Sequence, residues 1–279
     1  MGLDHHSVGH ETAVYRYEYD WKAVVLYALG IGATTEELDY LYEARGPKVF
    51  PTFALAAAYA PVQALIERVG LDTQSMVHGA QTVTVHRPLP PNGCLLTTAR
   101  VEGIYDMKRM AQVVLTTTSK TEDSVCCETE WSLLALRDGN FGGSPPPRPP
   151  RLRIADGAEA DWTCEQATSP EQALLYRLSG DLNPLHADPE FAARAGFPQG
   201  PILHGLCTFG LIARAVVRHV CAGDAHRLRT LSAQFRRPMW PGDSLRTEGY
   251  PIEDGRTAIR AFSGNRGEPV VGACWAQTT

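Results

Sequence analysis

The chain repeats itself, and that constrains it more than any other feature. Arg87-Pro88-Leu89-Pro90-Pro91-Asn92-Gly93 leads into a strand-like stretch from Cys94 to Glu102. Arg237-Pro238-Met239-Trp240-Pro241-Gly242-Asp243 leads into another, from Ser244 to Tyr250. Further upstream, Val24-Val25-Leu26-Tyr27-Ala28-Leu29-Gly30 answers Ala173-Leu174-Leu175-Tyr176-Arg177-Leu178-Ser179. A repeated pattern of this kind means one structural unit used twice. The break falls near the middle of the 279 residues, where Ser144 to Pro150 reads SPPPRPP. Proline-rich stretches are extended spacers without a core of their own. The reading is therefore a first repeat over residues 1–143, a Pro-rich linker over 144–158, and a second repeat over 159–279.

Each repeat carries the same element order. After the short apolar stretch comes a longer helix candidate, Phe53 to Val69 in the first copy and Leu206 to Val220 in the second. Pro61 is expected to shorten or kink the first of these, because proline lacks the donor a helix interior needs. Strands follow: Ala80 to His86, Cys94 to Glu102, Gln112 to Thr118 and Val125 to Leu136. The second copy offers Leu228 to Phe235, Ser244 to Tyr250, Thr257 to Phe262 and Pro269 to Ala276. Period-two runs between Gly, Pro and Asp turns read as antiparallel strands. A long helix on one face of such a sheet is an α+β layer.

Composition excludes several classes. With 44% hydrophobic and 20% charged residues, the chain can build a core and is not globally disordered. A net charge of −5 argues against nucleic acid, which needs a basic field. The most apolar run, Ile202 to Val217, is interrupted by His204 and Arg214, so no membrane span is expected. Met1 to Asp20 has no apolar h-region. The seven cysteines are odd in number and lack metal-like spacing, so they read as cytosolic thiols.

Only the second repeat carries a dense polar motif, Tyr176-Arg177-Leu178-Ser179-Gly180-Asp181-Leu182-Asn183-Pro184-Leu185-His186-Ala187-Asp188-Pro189. The aligned Tyr27-Ala28-Leu29-Gly30-Ile31-Gly32-Ala33 has no carboxylate, amide or imidazole there. Gly180 permits a sharp helix exit, and Pro184 stiffens the loop. Asp181 and His186 can then face one water and share its protons, with Asn183 joining the network. The same residue types also make good turns. Asp188-Pro189 reads as a helix cap followed by its first residue. A metal reading of Asp181, His186 and Asp188 lacks a cysteine or second histidine in register. Farther on, Pro201-Ile202-Leu203-His204-Gly205-Leu206 opens the long helix. The Gly205 N–H suits a developing oxyanion, or the segment is simply a turn into a buried helix. His204 reads as a hydrogen-bonded structural residue.

These residues resemble the MaoC-like hydratases, specifically (R)-specific 2-enoyl-CoA hydratase 2, the domain also found in peroxisomal multifunctional enzymes. The stretch from Tyr176 through Asn183-Pro184-Leu185-His186 to Phe209 carries the resemblance. Pro51-Thr52-Phe53, His78-Gly79-Ala80-Gln81, Phe141-Gly142-Gly143 and Pro241-Gly242-Asp243 extend it over nearly the whole chain. It implies a double hot dog fold: two tandem repeats of an antiparallel sheet wrapped around a long helix. It implies Asp181 and His186 as catalytic pair, Asn183 as support and the Gly205 N–H as oxyanion donor. It also implies acyl-CoA contacts at His78, Gly79, Lys108 and Phe235. The family commonly has Glu where Ala80 stands, and its Asp-Lys-Gly turn reads Asp106-Met107-Lys108-Arg109 here.

The implied reaction is reversible syn hydration of a trans-2-enoyl-CoA to a (3R)-3-hydroxyacyl-CoA. Coenzyme A enters as part of the substrate, and no cofactor or metal is expected. A hot dog thioesterase and a non-catalytic acyl-CoA-binding protein are the alternatives, and the dehydratase direction on a CoA or carrier-protein thioester is open. The first repeat, lacking the motif, can serve as acyl-chain wall. Its run Phe53-Ala54-Leu55-Ala56-Ala57-Ala58 either opens a slot or lets the helix sit close to the sheet. The family implies a homodimer. The chain ends Ala276-Gln277-Thr278-Thr279, without a peroxisomal Ser-Lys-Leu ending, so a cytoplasmic location is the expectation.

Overall fold

The computed structural model describes residues 2–121, 124–148, 152–252 and 255–279. The first repeat contains β1 (Tyr15–Tyr19), α1 (Trp21–Gly30), α2 (Leu38–Leu41), α3 (Ala54–Val69), β2 (Met76–Val85), β3 (Gly93–Asp106), β4 (Ala111–Lys120) and β5 (Val125–Ala135). The second contains β6 (Trp162–Ala167), α4 (Gln172–Tyr176), α5 (Pro189–Arg194), α6 (Gly205–His219), β7 (Leu228–Phe235), β8 (Ser244–Pro251), β9 (Arg256–Ser263), β10 (Glu268–Pro269) and β11 (Val271–Thr278). Residues 144–148 and 152–158 carry neither helix nor strand, and the rest of the proline-rich segment, 149–151, lies outside the described residues.

All these strands join one sheet, ordered β1-β3-β4-β5-β2-β7-β11-β9-β8-β6, with β10 beside β9. Read outward from the centre, each half follows the same path, so β2 answers β7, β5 answers β11, and β1 answers β6. The centre is the antiparallel β2–β7 pair, where Thr82 faces Ser232 and Thr84 faces Thr230. Their hydroxyls touch across the seam, at 2.9 and 3.3 Å. The sheet is therefore continuous through the repeat boundary, and the architecture is the α+β double hot dog. α3 packs against β3, β4 and β5, and α6 against β7 and β8.

Burial decides where the helices run. In α6 the residues from Leu206 through Val217 are all buried, which is why the sequence is so apolar there. α3 runs unbroken through Pro61 and ends at Gly70, whose φ of +76° is the usual left-handed stop. The expectation that Pro61 shortens this helix is wrong. An interior proline costs about 3 kcal/mol. Val62, Leu65, Ile66 and Val69 are all buried, and each contributes roughly 1.5–3 kcal/mol, so packing prevails.

The repeats are also tied through their helices. Gln172 donates to the carbonyls of Leu29 and Gly30 at the end of α1, at 3.1 and 2.6 Å. Cys207 approaches the same Gly30 carbonyl. A Cβ at Gly210 would overlap Ile31, so α6 meets the end of α1 through a glycine. Arg214, placed by the sequence as a break in an apolar run, is itself buried and pairs with Glu37. The seven cysteines are free thiols. Among the described residues no helix is long and apolar enough to cross a membrane.

Candidate active site

The polar loop of the second repeat is built by turn chemistry. α4 runs into a 3-10 turn, Arg177–Ser179, which Gly180 ends with a φ of +130°. Asp181 follows. Its Oδ1 accepts from the backbone N–H of Asn183 at 3.2 Å. The Asn183 side chain is used locally, its Oδ1 accepting from the Leu185 N–H at 3.0 Å. Pro184–His186 then form one 3-10 turn. Asp188 caps α5 through the N–H groups of Glu190 and Phe191, as its position before proline foretold.

The loop aims Asp181 and His186 into a cavity of about 390 Å3, which Asn183 and Gly205 also line. The Nδ1–H of His186 donates to the Ile202 carbonyl at 2.8 Å. That fixes the tautomer and leaves the Nε2 lone pair as an acceptor. Gly205 is the first residue of α6, so its N–H is one of the donors a helix start leaves unpaired. The ring of Phe235 covers Gly205 closely.

His204 sits behind this pair. Its Nε2–H donates to the Asp181 carbonyl at 3.1 Å, and its ring stacks on His186 with centroids 3.7 Å apart. Asp181, His186 and His204 bring one donor atom each within 4.8 Å of one another. The sequence had placed Asp188, not His204, in such a set, and Asp188 is occupied as a cap. Each of the two imidazoles spends one ring nitrogen on a carbonyl, and Asp181 spends Oδ1 on hydrogen bonds. What is left is a lone pair on His186 Nε2, the carboxylate Oδ2 and the buried, unpartnered Nδ1 of His204; the first two match the two hydrogens of one water.

Burial holds three histidines neutral. It lowers His186 below its ordinary value, against the opposing pull of the Asp181 carboxylate. It lowers His204 to about 3, with the neighbouring His186 adding to the effect. It lowers His78 to about 4. An unfolded chain takes up these protons near pH 6.5, whereas the folded chain does not. Their contribution is thus fully present above that pH and is lost as pH falls toward the folded values. We expect unfolding free energy to drop between pH 7 and pH 5, by up to about 1.4 kcal/mol per pH unit for each histidine. Denaturant midpoints at the two pH values check this; equal midpoints would mean that the imidazoles are not buried neutral.

The first repeat supplies one wall. His78 points into the cavity, stacked on Trp131 with centroids 5.2 Å apart and edge-on to Phe235 at 5.1 Å. Gly79 does not line the cavity. It stands at a register shift in the β2–β5 pairing, where a Cβ would meet Leu134 at 2.9 Å. Such a bulge re-aims its neighbour, here His78. Lys108 does not line the cavity either. It occupies the exposed turn between β3 and β4 with a φ of 71°, its N–H bonded to Asp106 Oδ1. The backbone makes that bond, and the Lys108 side chain is exposed.

The face of α3 that meets the cavity is Tyr59, Gln63 and Ile66, not the alanines. Ala57 and Ala58 are fully packed in the core. Of the two readings of that run, close helix–sheet packing holds. Tyr59 was missed by the sequence reading. Its hydroxyl donates to Asp181 Oδ1 at 2.8 Å from 122 residues away in sequence, and no local pattern signals such a contact.

Sheet order and loop geometry together define a double hot dog whose polar loop lies in the second repeat. Residues 155–258 match the MaoC like domain, and residues 17–136 match the MFE-2 hydratase 2 N-terminal domain. The chain is 36% identical over 262 residues to enoyl-CoA hydratase 2, peroxisomal, of Arabidopsis thaliana, spanning 86% of this chain and 84% of that protein. It is 35% identical over 269 residues to 3-hydroxyacyl-thioester dehydratase Y of Mycobacterium tuberculosis, spanning 93% and 91%. A crystal structure of a MaoC-like dehydratase from Phytophthora capsici superposes with a TM-score of 0.90 at 27% identity, covering 100% of this chain and 98% of that one. The chain belongs to the MaoC-like family, in its hydratase 2 branch.

Proposed function

We propose that the protein is an (R)-specific 2-enoyl-CoA hydratase, adding water reversibly to a trans-2-enoyl-CoA to give a (3R)-3-hydroxyacyl-CoA. The observation that carries this reading is that Asp181, His186 and Gly205, whose N–H opens α6, line one cavity. Relatives named enoyl-CoA hydratase 2 and 3-hydroxyacyl-thioester dehydratase support it.

The geometry suits one water donating to His186 Nε2 and Asp181 Oδ2, with its own lone pair facing C3 of the substrate. Its oxygen bonds to C3 as one O–H bond breaks. The C2=C3 electron pair shifts toward C2 and the thioester oxygen. The Gly205 N–H receives that oxygen's charge, and the helix start adds its partial positive charge. A proton returns from the pair to C2, so both groups add from the same side. One water is consumed, and nothing is oxidised or reduced. His78, Phe235 and the α3 face flank the acyl group, and Asn183 holds the loop.

A role in fatty acid β-oxidation, a cytoplasmic location and a homodimer fit this reading. The experiment is an absorbance assay with crotonyl-CoA and longer enoyl-CoAs, with chiral analysis of the product. Loss of the conjugated absorbance and an R product are expected. Release of free thiol without hydration would point to a thioesterase instead. Ligand binding with unchanged absorbance would leave a non-catalytic acyl-CoA-binding protein.

A further inference from the structure

We propose that Tyr59 is a positioning residue for the reaction: a hydroxyl from the first repeat that fixes the Asp181 carboxylate of the second. The proposal rests on the hydratase reading above. Three observations carry it. The Tyr59 O–H donates to Asp181 Oδ1 at 2.8 Å. The same oxygen accepts the Asn183 N–H at 3.2 Å, so two donors from different elements converge on it. Tyr59 also packs against the loop, its Cβ and Cγ facing Gly180, and its ring lies edge-on to Trp131.

A carboxylate on a short side chain can rotate about its last bond. Two donors on Oδ1 stop that rotation and leave Oδ2 as the atom available to a water. One donor is local to the loop and survives any movement of it. The other comes from α3, whose position is set by the opposite half of the sheet. Tyr59 thus references the carboxylate to the wall that also flanks the acyl group. Burial and the adjacent carboxylate both keep the phenol protonated, so it stays a donor across the working pH range. The first repeat, without polar chemistry in the segment aligned to the motif, in this way contributes a group to it.

The test compares Tyr59→Phe with Asp181→Asn in the full-length protein. Hydrogen bonds to a charged group support a fall of about ten- to a hundredfold in kcat for Tyr59→Phe, with KM changed less than about threefold. In an Asp181→Asn background the same substitution should cost less than about twofold, because the carboxylate it orients is gone. An unchanged kcat in Tyr59→Phe, with that of Asp181→Asn lowered at least about a hundredfold, overturns the proposal and leaves the hydratase reading intact. A raised KM with unchanged kcat also overturns it and makes Tyr59 a wall of the acyl slot only. Full activity in Asp181→Asn overturns the reading beneath both. Should Tyr59→Phe fold poorly, 3-fluorotyrosine at position 59 keeps the ring and its packing while altering donor strength. A kcat insensitive to that change then counts against the proposal.

Discussion

Replacing Asp181 or His186 with alanine is expected to lower turnover of an enoyl-CoA by at least about a hundredfold while the protein stays folded. General acid–base assistance is worth about 10²–10⁴-fold, and each variant removes one of the two acceptors that hold the water. The effects should not multiply. A water held by two groups is lost when either goes, so the double variant should lie close to the worse single one. Folding should survive. Asp181 sits in a loop whose turn is closed by Asn183 and Pro184, and the single fixed bond of His186 is to the Ile202 carbonyl. Steady-state kinetics together with circular dichroism check both parts. Near wild-type turnover in either folded variant would remove the pair from the mechanism.

The second large effect concerns stability. Glu37→Gln is expected to destabilise the fold by about 3–5 kcal/mol, the cost of leaving a buried cation without its partner. The Arg214 side chain is only 7% exposed and pairs with Glu37 through two of its nitrogens. Its third anchor is the Ile31 carbonyl at 3.1 Å. Glutamine keeps the shape of Glu37 and, with its oxygen at the Oε2 place, the contact with the Thr34 N–H; it removes the charge and turns an N–H donor toward Arg214 Nε. A compensating pair, Glu37→Leu with Arg214→Met, should recover much of the loss, since apolar groups of similar volume often replace a buried ion pair at little cost. Chemical denaturation of the three variants decides it. A Glu37→Gln midpoint equal to that of the parent would show that solvent already reaches the guanidinium.

Both effects bear on how the repeats are joined. The site lies in a cavity walled by α3 and β2 on one side and by the polar loop and α6 on the other. Arg214 and Glu37 tie α6 to the segment just before α2, and Gln172 ties α4 to α1. A weakened tie therefore loosens the site as well as the fold.

Much of this was legible in the chain. The duplicated Arg-Pro motifs and the period-two runs set the number of units and their α+β class, because alternation and turn chemistry are local. The cap at Asp188 and the exit at Gly180 follow from residue types two or three places apart. The polar loop was legible for the same reason: Asp181, Asn183 and His186 fall within one short turn. Edge strands β1 and β6 escaped notice, since Tyr15–Tyr19 and Trp162–Ala167 are short and half-exposed and give weak alternation. Pro61 misled, because a local propensity was outweighed by burial along α3.

By itself the sequence determined the repeat, the order of its long helix and the strands that follow it, and which half bears the polar loop, all of which rest on neighbours in the chain. Only the tertiary structure decided that β2 and β7 pair into one sheet, and that Tyr59 reaches Asp181 while Ala57 and Ala58 do not face the cavity. It alone placed Lys108 in an exposed turn and gave Arg214 its partner. Each of these depends on residues far apart in sequence. Such contacts are fixed by how helices and strands pack across the seam, and no local pattern encodes them.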